Sequence, residues 1–190
     1  MERHWSGPGL VLRLASRLAF AGAAALAGGD ARGEVLEAAP GGFAVKSTVT
    51  IAGTPSDVYG ALGRVGSWWD PAHTYSGDAA NLSIDLRPGG CFCERLVPQG
   101  GVQHSMVVLV IPSKTVRLAG GLGPLQEAGV SGSLTFALAE RVGGTDTTMS
   151  YSVGGYRQGG LEALAPAVDS VLGAQLRRLK SFVENGRPTP

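Results

Sequence analysis

The sequence predicts an α+β domain in which a curved antiparallel sheet of about seven strands wraps one long C-terminal helix. Two observations carry this. Between Leu82 and Val153, apolar and polar residues alternate in one short segment after another, and the Pro- and Gly-containing connections between most of them are too short for anything but antiparallel neighbours. From Leu161 to Val183 the apolar period changes to steps of three and four, the pattern of an amphipathic helix.

The elements follow in order. Val45–Ile51 alternates with Lys46, Thr48 and Thr50, as a strand with one buried face does. Thr54-Pro55-Ser56-Asp57 supplies a helix start: Thr54 caps, Pro55 suits the first helical position, and Asp57 meets the positive end of the helix dipole. Val58, Tyr59, Leu62 and Val65 continue at helical spacing until Gly63 and Gly66 weaken the helix. Beyond Trp68-Trp69, the segments Leu82–Arg87, Cys91–Val97, Val102–Ile111, Thr115–Ala119, Ser131–Glu140 and Thr145–Val153 read as strands, with 120–129 as a loop. The last helix is expected from about Ala165, because Pro166 fits only a first turn, to a stop at Asn185-Gly186.

Sixteen Lys and Arg against fifteen Asp and Glu give a formal charge of +1 with no basic stripe, which excludes nucleic acid as a partner. Arg3, Arg13 and Arg17, the apolar run Leu18–Ala27 and the small residues of Ala31-Arg32-Gly33 read together as a signal peptide over residues 1–33. Its apolar run is too short to span a bilayer, so the expectation is an exported, periplasmic or secreted domain without a membrane anchor after cleavage. Residues 34–42, with Pro40-Gly41-Gly42, read as a linker, which leaves 43–186 as one domain.

One strand, two short helices, six further antiparallel strands and a terminal helix is the order of the helix-grip fold. With it go Trp68-Trp69, His73-Thr74-Tyr75-Ser76-Gly77-Asp78, the Gly89-Gly90 turn, Gly120-Gly121-Leu122-Gly123-Pro124-Leu125 and Tyr151-Ser152-Val153-Gly154-Gly155-Tyr156. Together these segments resemble the SRPBCC (START-like, Bet v 1-like) superfamily, near the branch of the Hsp90 ATPase activator C-terminal domain and the polyketide cyclases. The resemblance implies a cavity between sheet and helix that binds a lipid or another apolar molecule, and in some members catalysis. An exported chain would not meet a cytosolic Hsp90, so that partner is not expected.

The candidate site residues come from the richest part of the chain. Only one of two adjacent tryptophans readily faces a cavity, and Trp69 is assigned to the wall. His73 and Tyr75 lie in a loop at the expected mouth. Met106, Leu122, Leu125 and Tyr151 are assigned to the apolar wall, with Val108, Met149 and Val153 as lining or plain core, and the Tyr151 and Tyr156 hydroxyls are available to a ligand. Glu94 and His104 flank the Pro98–Gly101 hairpin. If Leu96 pairs with Val102 they face one another; if Val97 does, His104 opposes Arg95, and sequence leaves the register open. Facing inward, they could bind a polar group or act as base and acid; facing outward, they are ordinary sheet surface.

Cys91 and Cys93 fall on one side of their strand, roughly 7 Å apart if it is fully extended, and read as small buried hydrophobes rather than a disulfide. With only Glu94, His73 and His104 to complete a set, no metal is expected. No phosphate loop, nucleophile elbow or zinc helix is present, so no cofactor is expected either. Three readings remain: a binder of an apolar small molecule or lipid, a cyclase- or dehydratase-like enzyme using Glu94 and His104, and an interaction module without a cavity.

Overall fold

Alternation along residues 42–51 places Phe43, Val45, Ser47, Val49 and Ile51 on one buried face of a strand, and this face is the floor on which the C-terminal helix lies. The computed structural model of the chain describes Met1 and residues 32–189. The segment read as a signal peptide therefore lies outside the described residues, apart from Met1 and its last two positions.

Eight strands form one antiparallel sheet in the order β1-β2-β8-β7-β6-β5-β4-β3. They are β1 (Arg32–Ala39), β2 (Gly42–Ile51), β3 (Leu82–Ile84), β4 (Cys91–Arg95), β5 (Gly101–Ile111), β6 (Thr115–Ala119), β7 (Ser131–Arg141) and β8 (Gly144–Gly154). The α-helices among the described residues are α1 (Pro55–Leu62), the single turn α2 (Pro124–Glu127) and α3 (Ala165–Asn185). Sheet and terminal helix together make a helix-grip architecture.

Two expectations about the elements change. Residues read as a linker form β1 and its turn into β2, so the sheet has eight strands rather than seven. Most of β1 is exposed at the sheet edge, where no buried face imposes an alternating pattern. The second short helix is replaced by three isolated 3-10 turns, at Val65–Ser67, Pro71–His73 and Ala79–Asn81.

The helix ends follow their local chemistry. Thr54 Oγ1 accepts from the Asp57 N–H at 3.2 Å while the Asp57 carboxylate accepts from the Thr54 N–H at 2.9 Å, a reciprocal cap. Gly186, left-handed at φ 72°, ends α3 by donating its N–H to the Phe182 carbonyl. Along α3, Leu172, Leu176 and Leu179 are buried against the sheet, and each such side chain contributes about 2 kcal/mol of apolar burial.

Two polar residues of α3 fasten the segment that follows α1. The Gln175 carbonyl oxygen accepts the Asp70 N–H at 2.8 Å, and the Arg178 guanidinium donates to the Trp68 carbonyl at 2.9 Å and to that of Trp69 at 3.4 Å. Trp68 is buried in the core with its indole N–H on the Ala61 carbonyl at 2.8 Å. Its neighbour Trp69 packs against it with ring centroids 5.5 Å apart, the planes tilted by 55°.

Candidate functional site

Between α3 and the inner face of the sheet lies a cavity of about 560 Å³, within the range of small-molecule sites. Trp69, Leu82, Phe92, Leu125 and Leu172 give it an apolar wall, and His73, Thr74, Tyr75 and Glu127 border it. Its helical side, formed by Leu164, Val168, Val171 and Leu172, belongs to the three-and-four stripe already visible in the sequence.

The polar centre of this wall is made by a bulge. On β4 and β5, Phe92 pairs with Ser105 and Cys93 with Gln103, leaving His104 as the extra residue. A bulge shifts strand parity by one, so His104 and Ser105 are consecutive and both buried. Glu94 pairs with Val102, which is neither of the registers the sequence offered. Glu94 and His104 nevertheless both face inward, with His104 Nε2 3.0 Å from Glu94 Oε2.

The Glu94 carboxylate is 1 % exposed, and the loop before β3 closes over it. The Tyr75 N–H donates to Oε2 at 3.0 Å and the Ser76 N–H donates to Oε1. Burial pushes the Glu94 pKa up, but the hydrogen bonds from Ser76, Tyr75 and His104 together outweigh it and hold the value below the ordinary one. Burial likewise lowers the His104 pKa, and the opposing pull of Glu94 does not restore it. The pair is therefore a carboxylate beside a neutral imidazole at neutral pH. An ionised carboxylate only accepts, so the imidazole proton sits on Nε2 and Nδ1 is left as an acceptor.

The loop carrying Leu122 is fixed from below by Tyr151. Its buried hydroxyl donates to the Gly120 carbonyl and accepts the Leu122 N–H, both at 3.0 Å. Burial raises the pKa of this phenol, so it stays protonated. Gly120, at φ 154°, lies against the bulge: a Cβ there would come within 2.8 Å of the His104 carbonyl. Gly132 leaves the space that the Tyr151 ring fills, since a Cβ there would sit 2.4 Å from the ring.

Of the nine residues assigned from sequence, Trp69, His73, Tyr75, His104, Leu122, Leu125 and Tyr151 line the cavity. Glu94 stands behind His104 rather than in the wall. Met106 does not belong to the site: it is 42 % exposed on the outer face, because the bulge at His104 reverses the alternation. Val108, the extra residue of a second register shift opposite Leu118 and Arg117, is exposed for the same reason. The Tyr151 hydroxyl is committed to the loop rather than offered to a ligand, and Tyr156 is 85 % exposed.

Cys91 and Cys93 differ from expectation as well. They are half-buried on the outer face of β4 and joined as a disulfide, with Cα atoms 5.4 Å apart where the register shifts. Phe92, Leu82, Val168 and Leu172 were not assigned to a site from sequence. The Phe92 signal was its alternation with the two cysteines, which puts it on the same face as Glu94.

Replacing Glu94 by Ala strands two backbone N–H groups and the His104 Nε2–H inside the protein. The expected cost is about 3 kcal/mol of folding free energy, measured by urea denaturation. Glu94 and His104 both bind fewer protons folded than unfolded, so stability rises with pH. The His104 share is complete above about pH 6.5, the ordinary imidazole value, and is lost as pH falls through the lower folded value. The Glu94 share goes at more acidic pH still. His104→Phe is expected to lose less stability than the wild type between pH 7.5 and 5.5.

No protein-family model matches the sequence, and no curated protein matches it either. Solved structures share its fold. The conserved protein of unknown function EF2215 from Enterococcus faecalis has a TM-score of 0.57 at 14% identity, over 84% of this chain and 81% of its own. CalU16 from Micromonospora echinospora gives 0.54 at 15%, over 84% and 86%. The Aha1 dimer from Colwellia psychrerythraea gives 0.51 at 20%, over 75% and 97%. At these identities the likeness is one of fold.

Proposed function

We propose that this chain binds an apolar small molecule or lipid in the cavity between its sheet and α3. The observation that carries this reading is the cavity itself: about 560 Å³, walled by Trp69, Phe92, Leu122, Leu125 and Leu172. Removing a ligand's apolar surface from water drives binding at about 25 cal/mol per Å², and the few polar groups set orientation. The reading of an interaction module without a true cavity draws less support from this space. The fold shared with other solved structures agrees with membership in the SRPBCC superfamily, and the reading carries the expectation of an exported protein that engages neither nucleic acid nor Hsp90.

The contact between Glu94 and His104 favours a second reading, a cyclase- or dehydratase-like enzyme. In it His104 Nδ1 takes a proton from the substrate, while Glu94 orients the ring and stabilises the imidazolium that forms. Under this reading His104→Phe abolishes turnover; under the first it changes affinity only modestly.

Native mass spectrometry of the protein purified from its own cells is expected to show a population heavier than the polypeptide by one small molecule. The double variant Val168→Trp/Leu172→Trp, which narrows the helical side of the cavity, is expected to lose that molecule while its circular dichroism is unchanged. Equal retention by both proteins would contradict the assignment.

A further inference from the structure

Apart from the His73 ring at the exposed rim, the side-chain donors around the cavity are already spent within the protein. The Trp69 indole N–H is held by the His73 carbonyl at 3.1 Å, the Thr74 hydroxyl by Pro71, the Tyr75 hydroxyl by Gly123 and the Tyr151 hydroxyl by Gly120. The His104 Nε2–H points at Glu94. The Gln175 amide donor, which has no partner among the described residues, is sealed in the core and does not reach the cavity. Among the described lining residues there is no lysine or arginine, the ionised side chain at the border is Glu127, and His73 stands exposed at the rim.

Inward of this border, one side-chain acceptor stands out. His104 Nδ1 has no hydrogen-bond partner among the described residues and is not one of the sealed polar atoms of the interior. Inward of the rim the wall thus offers an acceptor and no free side-chain donor, and a buried carboxylate stands directly behind the acceptor.

Building on the binding reading above, we propose that the cavity selects uncharged, largely apolar molecules that carry a hydroxyl. The hydroxyl donates to His104 Nδ1, and matched molecules whose polar group is a carbonyl or a carboxylate are rejected. A ligand carbonyl entering this space loses its water and gains no donor in return. A ligand carboxylate meets the same deficit and in addition the negative charges of Glu94 and Glu127. The same deficit bears on catalysis. An enolate or alkoxide formed here would find a base nearby but no preorganised donor for its charge, and such donors commonly supply the largest part of the stabilisation in those reactions.

The test is a matched ligand series on the full chain by isothermal titration. The probes are 2-naphthol, 2-methoxynaphthalene, 2-acetylnaphthalene and 2-naphthoate, with 1-dodecanol, its methyl ether and dodecanoate as an aliphatic set. The expected ranking places each hydroxyl compound about 3- to 10-fold above its methyl ether, with the ketone no better than the ether and the carboxylate weakest. In His104→Phe the gap between hydroxyl and ether closes while the ether still binds. Ether or ketone binding as tightly as the hydroxyl compound in the wild type overturns the selectivity and leaves the binding reading standing. Failure of every probe in both sets overturns the binding reading and this inference with it. The wild-type ranking does not depend on how the variant folds.

Discussion

The Glu94 carboxylate ties together parts of the chain that otherwise have no reason to meet. It sits on β4, receives two backbone N–H groups from the loop that precedes β3, and holds the ring that the β5 bulge turns inward. A buried anion is tolerated only when its lone pairs are met by donors, so the loop, the bulge and the carboxylate require one another. From this follow the position of the mouth, the tautomer of His104 and the one-sided polarity of the wall.

The opposite side of the cavity depends on α3. Its apolar stripe packs on β2, while Gln175 and Arg178 take hold of the backbone from Trp68 to Asp70. That grip places Trp69 edge-on to Phe92, with ring centroids 5.6 Å apart, and so closes the cavity at the core end. Phe92 in turn lies 5.0 Å from the His104 ring. Helix, tryptophan, phenylalanine and histidine form one packed series, and the cavity opens where it gives way to Leu164, Val168 and the loop of Leu122.

Much of the fold was legible in the sequence because burial imposed a period on it. β2, β5 to β8 and α3 each expose one face to the core, and alternation or three-and-four spacing marks each of them. β1 carries no such mark, since most of it is exposed and its glycine-rich turn resembles a linker. The site was legible in its residues more than in their directions. Trp69, Tyr75, Leu122 and Leu125 could be assigned from their place in the chain. Met106 could not, because a single bulged residue reverses the face of everything beyond it and leaves no trace in composition. Gln175 occupies an apolar helical position, yet its amide oxygen serves the Asp70 backbone.

Glu94 thus serves the site mainly through His104: burial keeps the imidazole neutral against the pull of the carboxylate, and the carboxylate fixes the ring proton on Nε2. The chemical character of the cavity, an apolar space with one acceptor, rests on that assignment. Long-range proton–nitrogen correlation of ¹⁵N-labelled protein at neutral pH reads it directly. The account predicts an unprotonated Nδ1 and a protonated Nε2 for His104; a proton on Nδ1, or an imidazolium with both nitrogens protonated, would contradict it.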